Sequence, residues 1–192
     1  MSIERYISAK LIEYEAIAPE DEDLYCYAVH CLFLAVIPFV ISMVIGVLLG
    51  KAPECLWIVV PFMLMRKFSG GHHAKTQLCC FLESSCVMYV AIEASVFLTD
   101  GSAVRISMVL AVLWLAVFSP IDSENRRLSS QQKKVYKRTA ITISMVFVLL
   151  YGILSVFHWW EAAVSVAIGI ILCAVMQMPC LFKDIRMKLK NE

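Results

Sequence analysis

The chain has 192 residues, of which 60% are hydrophobic and only 17% charged, with a mean hydropathy of +0.76 and a formal net charge of +1. That balance excludes an ordinary soluble domain and gives no basis for a nucleic-acid partner; it is the composition of a membrane protein. The polar start lacks the short apolar run and small-residue cleavage site of a secretory signal, so it is expected to belong to the mature protein.

Residues 1–18 place Ile3, Tyr6, Ile7, Leu11, Tyr14 and Ile17 at spacings of three and four, with Glu4, Arg5, Lys10, Glu13 and Glu15 between them. This is the pattern of an amphipathic helix lying on a membrane surface. An acidic link at 20–23 leads into six apolar runs, at 26–49, 53–65, 78–98, 104–118, 139–157 and 162–181. A full span needs about 20 residues at about 1.5 Å each, so the second and fourth runs are short. Pro61 weakens the second further by removing a helix hydrogen bond.

If all six runs cross, the N-terminal segment, the loop after the second run, the loop at 119–138 and the C-terminal tail share one side. Lys51 and Arg105 are then the only two of the 17 Lys and Arg residues on the other side. The positive-inside rule puts both termini and both basic loops in the cytoplasm. This partition argues for six crossings more strongly than the two short runs argue against them. No repeat or linker divides the chain. The expectation is one all-α membrane domain over 1–192, with a cytoplasmic segment at 1–23, a membrane region at 24–182 and a cytoplasmic tail at 183–192. The eight cysteines form no CxxC pair and several lie in apolar runs, so most read as small buried thiols rather than a disulfide framework.

One stretch departs from its surroundings: RKFSGGHHAKTQLCC, residues 66–80. Paired glycines adopt turn conformations that other residues resist, so a turn is expected at Gly70 and Gly71. Thr76 reads as the N-cap of the next helix, which places Cys79 and Cys80 in its first turn or just beyond. Thiolate is the nucleophilic form of cysteine, and a helix start beside cations, here Arg66, Lys67 and Lys75, favours it; a neighbouring histidine then takes the proton. His73 and Cys80 are seven residues apart, about 10.5 Å along an unbroken helix, so the chain must fold back for them to meet.

Two other readings of the same residues stay open. One takes the histidines as interfacial and the cysteines as packing; the other is a zinc site of His72, His73, Cys79 and Cys80, although adjacent ligand pairs depart from the usual metal-ligand spacings. Glu83, one turn further on, either orients a histidine or reaches to the interface. The stretch at 120–138 contains Arg126, Arg127, Lys133, Lys134 and Lys137. It reads as a topology-fixing loop facing anionic lipid, and is compatible with docking of an acidic peptide.

Together these features resemble the accessory gene regulator B (AgrB) family. The resemblance rests on Arg66, Gly70 and Gly71, His73 with Ala74, a cysteine seven residues after that histidine, the proline-initiated basic loop from Pro120, the helical start and the six-run layout. It implies a membrane cysteine endopeptidase, generally dimeric and needing neither cofactor nor metal, that cuts an AgrD-like propeptide on its C-terminal side. In that scheme Cys80 attacks the scissile carbonyl, and His73 activates the thiol and protonates the leaving amine. A Cys or Ser of the propeptide then attacks the thioester, closing a thiolactone or lactone ring. The doubled His72 and Cys79 depart from the pattern. The competing hypothesis is a helical transporter or scaffold without peptidase activity.

Overall fold

In the computed structural model of the chain the described residues are 3–70, 77–121 and 129–181, excepting the side chains of 77, 78 and 80. Among them are seven α-helices and no strand: α1 (Ile3–Glu13), α2 (Glu22–Leu48), α3 (Ala52–Ser69), α4 (Gln77–Phe97), α5 (Ser102–Phe118), α6 (Ser130–Val156) and α7 (Trp160–Val175). The all-α class expected from composition is therefore observed.

The chain divides into two compact units, 1–41 and 42–192. In the first, Pro19 opens a single 3-10 turn leading into α2, as a residue with fixed φ and no N–H is suited to do. His30 Nδ1 lies 3.2 Å from Glu4 Oε1, so α1 runs beside the early turns of α2. Ser8 is fully buried on α1 while Ile3 and Tyr6 are exposed.

The second unit is built around α7. Its buried residues include Ala163, Ser165, Ala167, Gly169 and Ala174, small side chains that let neighbouring backbones approach closely. The most extensive packing is with α3, through Cys55, Ile58, Val59, Phe62 and Met65. A Cβ on Gly169 would lie 2.6 Å from the Ile58 carbonyl oxygen and 3.3 Å from the Pro61 ring. Pro61 does not end α3, which continues through it against α7.

Helices α3 to α7 alternate in direction. The C-terminal ends of α3, α5 and α7 meet through Ser69, Ser119 and Gln177, and the Phe68 and Tyr136 rings, 5.6 Å apart, bring the early turns of α6 to the same end. At the other end a cavity of about 480 Å³ is lined by Lys51 and Glu54 at the start of α3, Ser95 and Leu98 at the end of α4, and Trp160 and Glu161 at the start of α7.

Asp100, in the turn between α4 and α5, secures that second end. Arg105 Nη2 donates to Asp100 Oδ2 at 2.8 Å, and the Tyr151 hydroxyl, late in α6, donates to Oδ1. The Arg105 hydrogen bond, with that of Tyr151, holds the Asp100 carboxyl below the usual carboxylate range, although its side chain is only 3% exposed. Because the folded-state pKa is lowered, the contribution is complete above the unfolded value of about 3.9 and is lost as pH falls through the folded one. Asp100→Asn should therefore melt below the parent protein at neutral pH, with the difference closing below about pH 4. A gap unchanged under acid would mean that the carboxylate charge contributes nothing.

Three helical stretches among the described residues are long and apolar enough to cross a membrane: Pro19–Leu48, which contains α2, Ser130–Val156, which is α6, and Trp160–Leu181, which runs from α7 through the turns after it; α5 is a shorter apolar helix. The outward faces carry Leu82, Val90, Leu110, Leu113, Val146 and Leu149, an apolar surface suited to lipid. The second apolar run proves shorter than its helix: α3 continues through Arg66 and Lys67 to 18 residues, while α5 has 17. Likewise α6 starts nine residues before the apolar run it contains, because its first turns are polar and hydropathy does not register them. The expectation that most cysteines are buried is corrected. Of the described thiols only Cys55 and Cys173 are buried, while Cys31, Cys79 and Cys86 lie on outward positions of their helices.

Candidate functional site

The last turn of α3 holds Arg66, Lys67, Phe68 and Ser69. The helix ends because Gly70 takes φ +74 and ψ −172, a conformation essentially reserved for glycine, while its N–H still donates to the Arg66 carbonyl at 3.1 Å. A Cβ at position 70 would also collide with the Ile121 carbonyl oxygen. The first glycine of the pair is thus required both by its backbone angles and by the close approach of a second chain segment.

That segment is the stretch after α5, which includes the cis Ser119–Pro120 peptide. Ile121 N–H donates to the Ser69 carbonyl at 3.0 Å. The same carbonyl accepts from Gln177 Nε2 at 2.8 Å, and Nε2 also lies 3.0 Å from Ser119 Oγ. Ser69 Oγ is 3.2 Å from Cys173 Sγ. Ser69, Ser119, Cys173 and Gln177 are all buried. The result is a polar knot that ties the ends of α3, α5 and α7 together beneath the point where the chain leaves α3.

Cations surround this end. The Arg66 guanidinium lies 5.4 Å from the Phe62 ring centroid, and Lys67 Nζ lies 5.7 Å from that of Phe68. Helix α6 begins with a capping box: Gln132 N–H donates to Ser129 Oγ at 3.3 Å and Ser129 N–H to Gln132 Oε1 at 3.0 Å. Its next turns expose Lys133, Lys134 and Lys137, and the Phe68 to Tyr136 contact brings them to the end of α3. Cys79 and Cys80 are the third and fourth residues of α4, in its first turn as expected; Cys79 and Glu83 are exposed.

The family model described as "Accessory gene regulator B" matches residues 4–181. The chain belongs to the accessory gene regulator B family. A putative AgrB-like protein of Clostridium perfringens is 24% identical over 189 residues, 92% of this chain and 88% of the relative. Protein FsrB of Enterococcus faecalis is 25% identical over 160 residues, 80% of this chain and 63% of FsrB. Accessory gene regulator protein B of Staphylococcus saprophyticus is 22% identical over 129 residues, 66% of each chain. No solved structure matches. The AgrB family works with an AgrD-like propeptide in quorum sensing, so the role of this membrane protein lies in processing a quorum-sensing peptide.

Of the residues on which the AgrB resemblance rests, the fold brings Arg66 and Gly70 to the end where the α6 lysines gather. Gly71, His72, His73, Ala74, Lys75, Thr76, Arg126 and Arg127 lie outside the described residues, as does the side chain of Cys80, so the Cys/His pairing and the zinc reading both fall there. Sequence reading passed over the knot. Gln177 is the one detectable signal, a lone amide inside the last apolar run.

Proposed function

We propose that this AgrB family member is a membrane-embedded cysteine endopeptidase that cleaves the C-terminal part of an AgrD-like propeptide. The observation that carries the reading is the convergence at one end of the bundle. There α4 starts with position 80 in its first turn, and the segment bearing His73 is held at its departure from α3 by the knot of Ser69, Ser119, Ile121 and Gln177. A helix N-terminus favours negative charge, which suits a thiolate at that turn.

In the reaction His73 takes the Cys80 proton, and the thiolate attacks the scissile carbonyl. The C–N bond breaks as His73 returns the proton to the leaving amine, leaving an acyl-enzyme thioester. A thiol or hydroxyl of the bound propeptide then attacks that thioester, closes the thiolactone or lactone ring and releases Cys80. Acyl activation is conserved through the exchange, so ring closure draws on no further energy source. Neither step needs a metal or cofactor. Purified protein in lipid, incubated with the candidate propeptide and followed by mass spectrometry, tests this: the cyclic product and a transient acyl adduct on Cys80 are expected. A helical scaffold or transporter would return the propeptide uncut.

The same reading has six membrane crossings, with both termini and the site in the cytoplasm, and two copies of the chain acting together at an anionic membrane. The alternating bundle and the sequestration of Lys51 and Arg105 from the other cations support it. A single cysteine introduced at position 71, with the native thiols removed, should react with an impermeant reagent only from the cytoplasmic side. Labelling from outside alone would overturn the orientation.

Lys133, Lys134 and Lys137, with Arg126 and Arg127, then attract an acidic segment of the propeptide. Exposed charge pairs contribute only about 0–1 kcal/mol each, so reversing several is needed to see an effect. The expected result is a salt-sensitive rise in KM with kcat little changed. Normal processing by the reversed protein at low and high salt would leave these residues a lipid and topology role alone.

A further inference from the structure

We propose that Gln177 is a positioning residue of the peptidase: through Ser69 and Ser119 it fixes the point and direction in which the chain leaves α3 toward His73. This rests on the Cys/His reading above. Gln177 is fully buried, and its amide spends both Nε2 hydrogens on the knot, 2.8 Å to the Ser69 carbonyl and 3.0 Å to Ser119 Oγ. Its Oε1 is buried with no hydrogen-bond partner among the described residues.

A residue chosen only for packing at the end of an apolar helix has no use for a half-satisfied amide. Methionine fills nearly the same volume without the desolvation cost. What the amide adds is a link between three helix ends. Ser69 is the final residue of α3, and its carbonyl is held by Gln177 from α7 and by Ile121 N–H from the stretch after α5. Gly70 follows, pressed against the Ile121 carbonyl, and His73 is three residues further along the chain. Two of the attachments that set the path of the chain at this point therefore meet on one carbonyl oxygen, and Gln177 supplies the one from α7. Without it Ser69 retains Ile121, so the bundle persists while the exit of the chain loses its lateral tether.

The test compares Gln177→Met with the parent and with His73→Ala, all carrying Cys79→Ala. Two quantities are read: steady-state processing of the propeptide, and iodoacetamide alkylation of Cys80 against pH, followed by mass spectrometry of the Cys80 peptide. In the parent, alkylation should begin well below the free-thiol value of about 8.5, and His73→Ala should move it toward that value. Gln177→Met should move it the same way and lower kcat about 10- to 100-fold with KM little changed, since a misplacement of about 1 Å remote from the chemistry has effects of that order. If Gln177→Met keeps the parent's kcat and alkylation profile while only its melting temperature falls, the residue is structural and the proposal is overturned. If His73→Ala itself leaves the profile unchanged, the Cys/His reading fails and the proposal falls with it. Should Gln177→Met not fold, Ser119→Ala decides: it removes one of the two Nε2 acceptors, and a smaller kcat loss in the same direction supports the proposal, whereas unchanged kcat overturns it.

Discussion

Alanine at position 80 is expected to abolish propeptide cleavage and the covalent acyl adduct, while alanine at position 79 keeps most of the activity. Removing the nucleophile of a catalytic pair costs on the order of 10⁶-fold in kcat, so the contrast is between background and near-normal turnover. Both cysteines share the first turn of α4 and its favourable field, so electrostatics alone does not choose between them. Helix register separates their positions. The buried face of α4 is the stripe of Met88, Ala91, Ile92 and Ser95, and Cys79 is exposed. At about 100° per residue, position 80 falls within about 20° of Ala91 three turns on, whereas position 79 falls on the side away from the stripe. The resemblance to the AgrB family selects Cys80, as the cysteine seven places after His73. His73→Ala should be inert and His72→Ala impaired at most, and chelators should leave cleavage unchanged. A dead Cys79→Ala beside an active Cys80→Ala would put the assignment one residue out of register, and cleavage halted by chelation would remove the Cys/His mechanism itself.

Much of this fold was legible because membrane helices are written in hydropathy. The six apolar runs correspond in order to α2 through α7, and the N-terminal periodicity to α1. What hydropathy misses is the polar helix that extends beyond a span. The Ser129 to Gln132 capping box marked the true start of α6, and only attention to Arg66 and Lys67 as helix formers would have carried α3 to Ser69. At the site the glycine pair reads as a break after the second run, and Gly70 does end α3, but the demand made on it by Ile121 is invisible in the sequence, since that contact joins positions 51 residues apart. Gln177, 108 residues from Ser69, was beyond reach for the same reason. Long-range polar contacts leave no periodic trace. A buried amide in an apolar run is a sign that some partner exists, and the sign does not name the partner.

Gly70→Ala is the other substitution with a large expected effect, a fall in processing on the order of 10²-fold together with reduced thermal stability. Two costs combine. At φ +74 and ψ −172 an alanine is strained by about 1–3 kcal/mol, and its Cβ would in addition strike the Ile121 carbonyl oxygen. That oxygen belongs to the backbone, so trimming the Ile121 side chain provides no relief: the double variant Gly70→Ala with Ile121→Ala should be no better than the single one. Nor can Ile121 simply withdraw, because its N–H is bonded to the Ser69 carbonyl and retreat would loosen the knot beneath the departing chain. Gly50 separates strain from collision. It also has a positive φ, +66, but nothing lies within 4 Å of a Cβ built there. Gly50→Ala should therefore lose about 1–2 kcal/mol of stability from backbone strain alone and still process the propeptide normally. If the two alanine variants lose stability alike and both retain processing, the approach of Ile121 to Gly70 has no bearing on the site; if Gly70→Ala alone loses processing while Gly50→Ala melts lower but cuts, the contact between the two loops is what holds the catalytic segment in place.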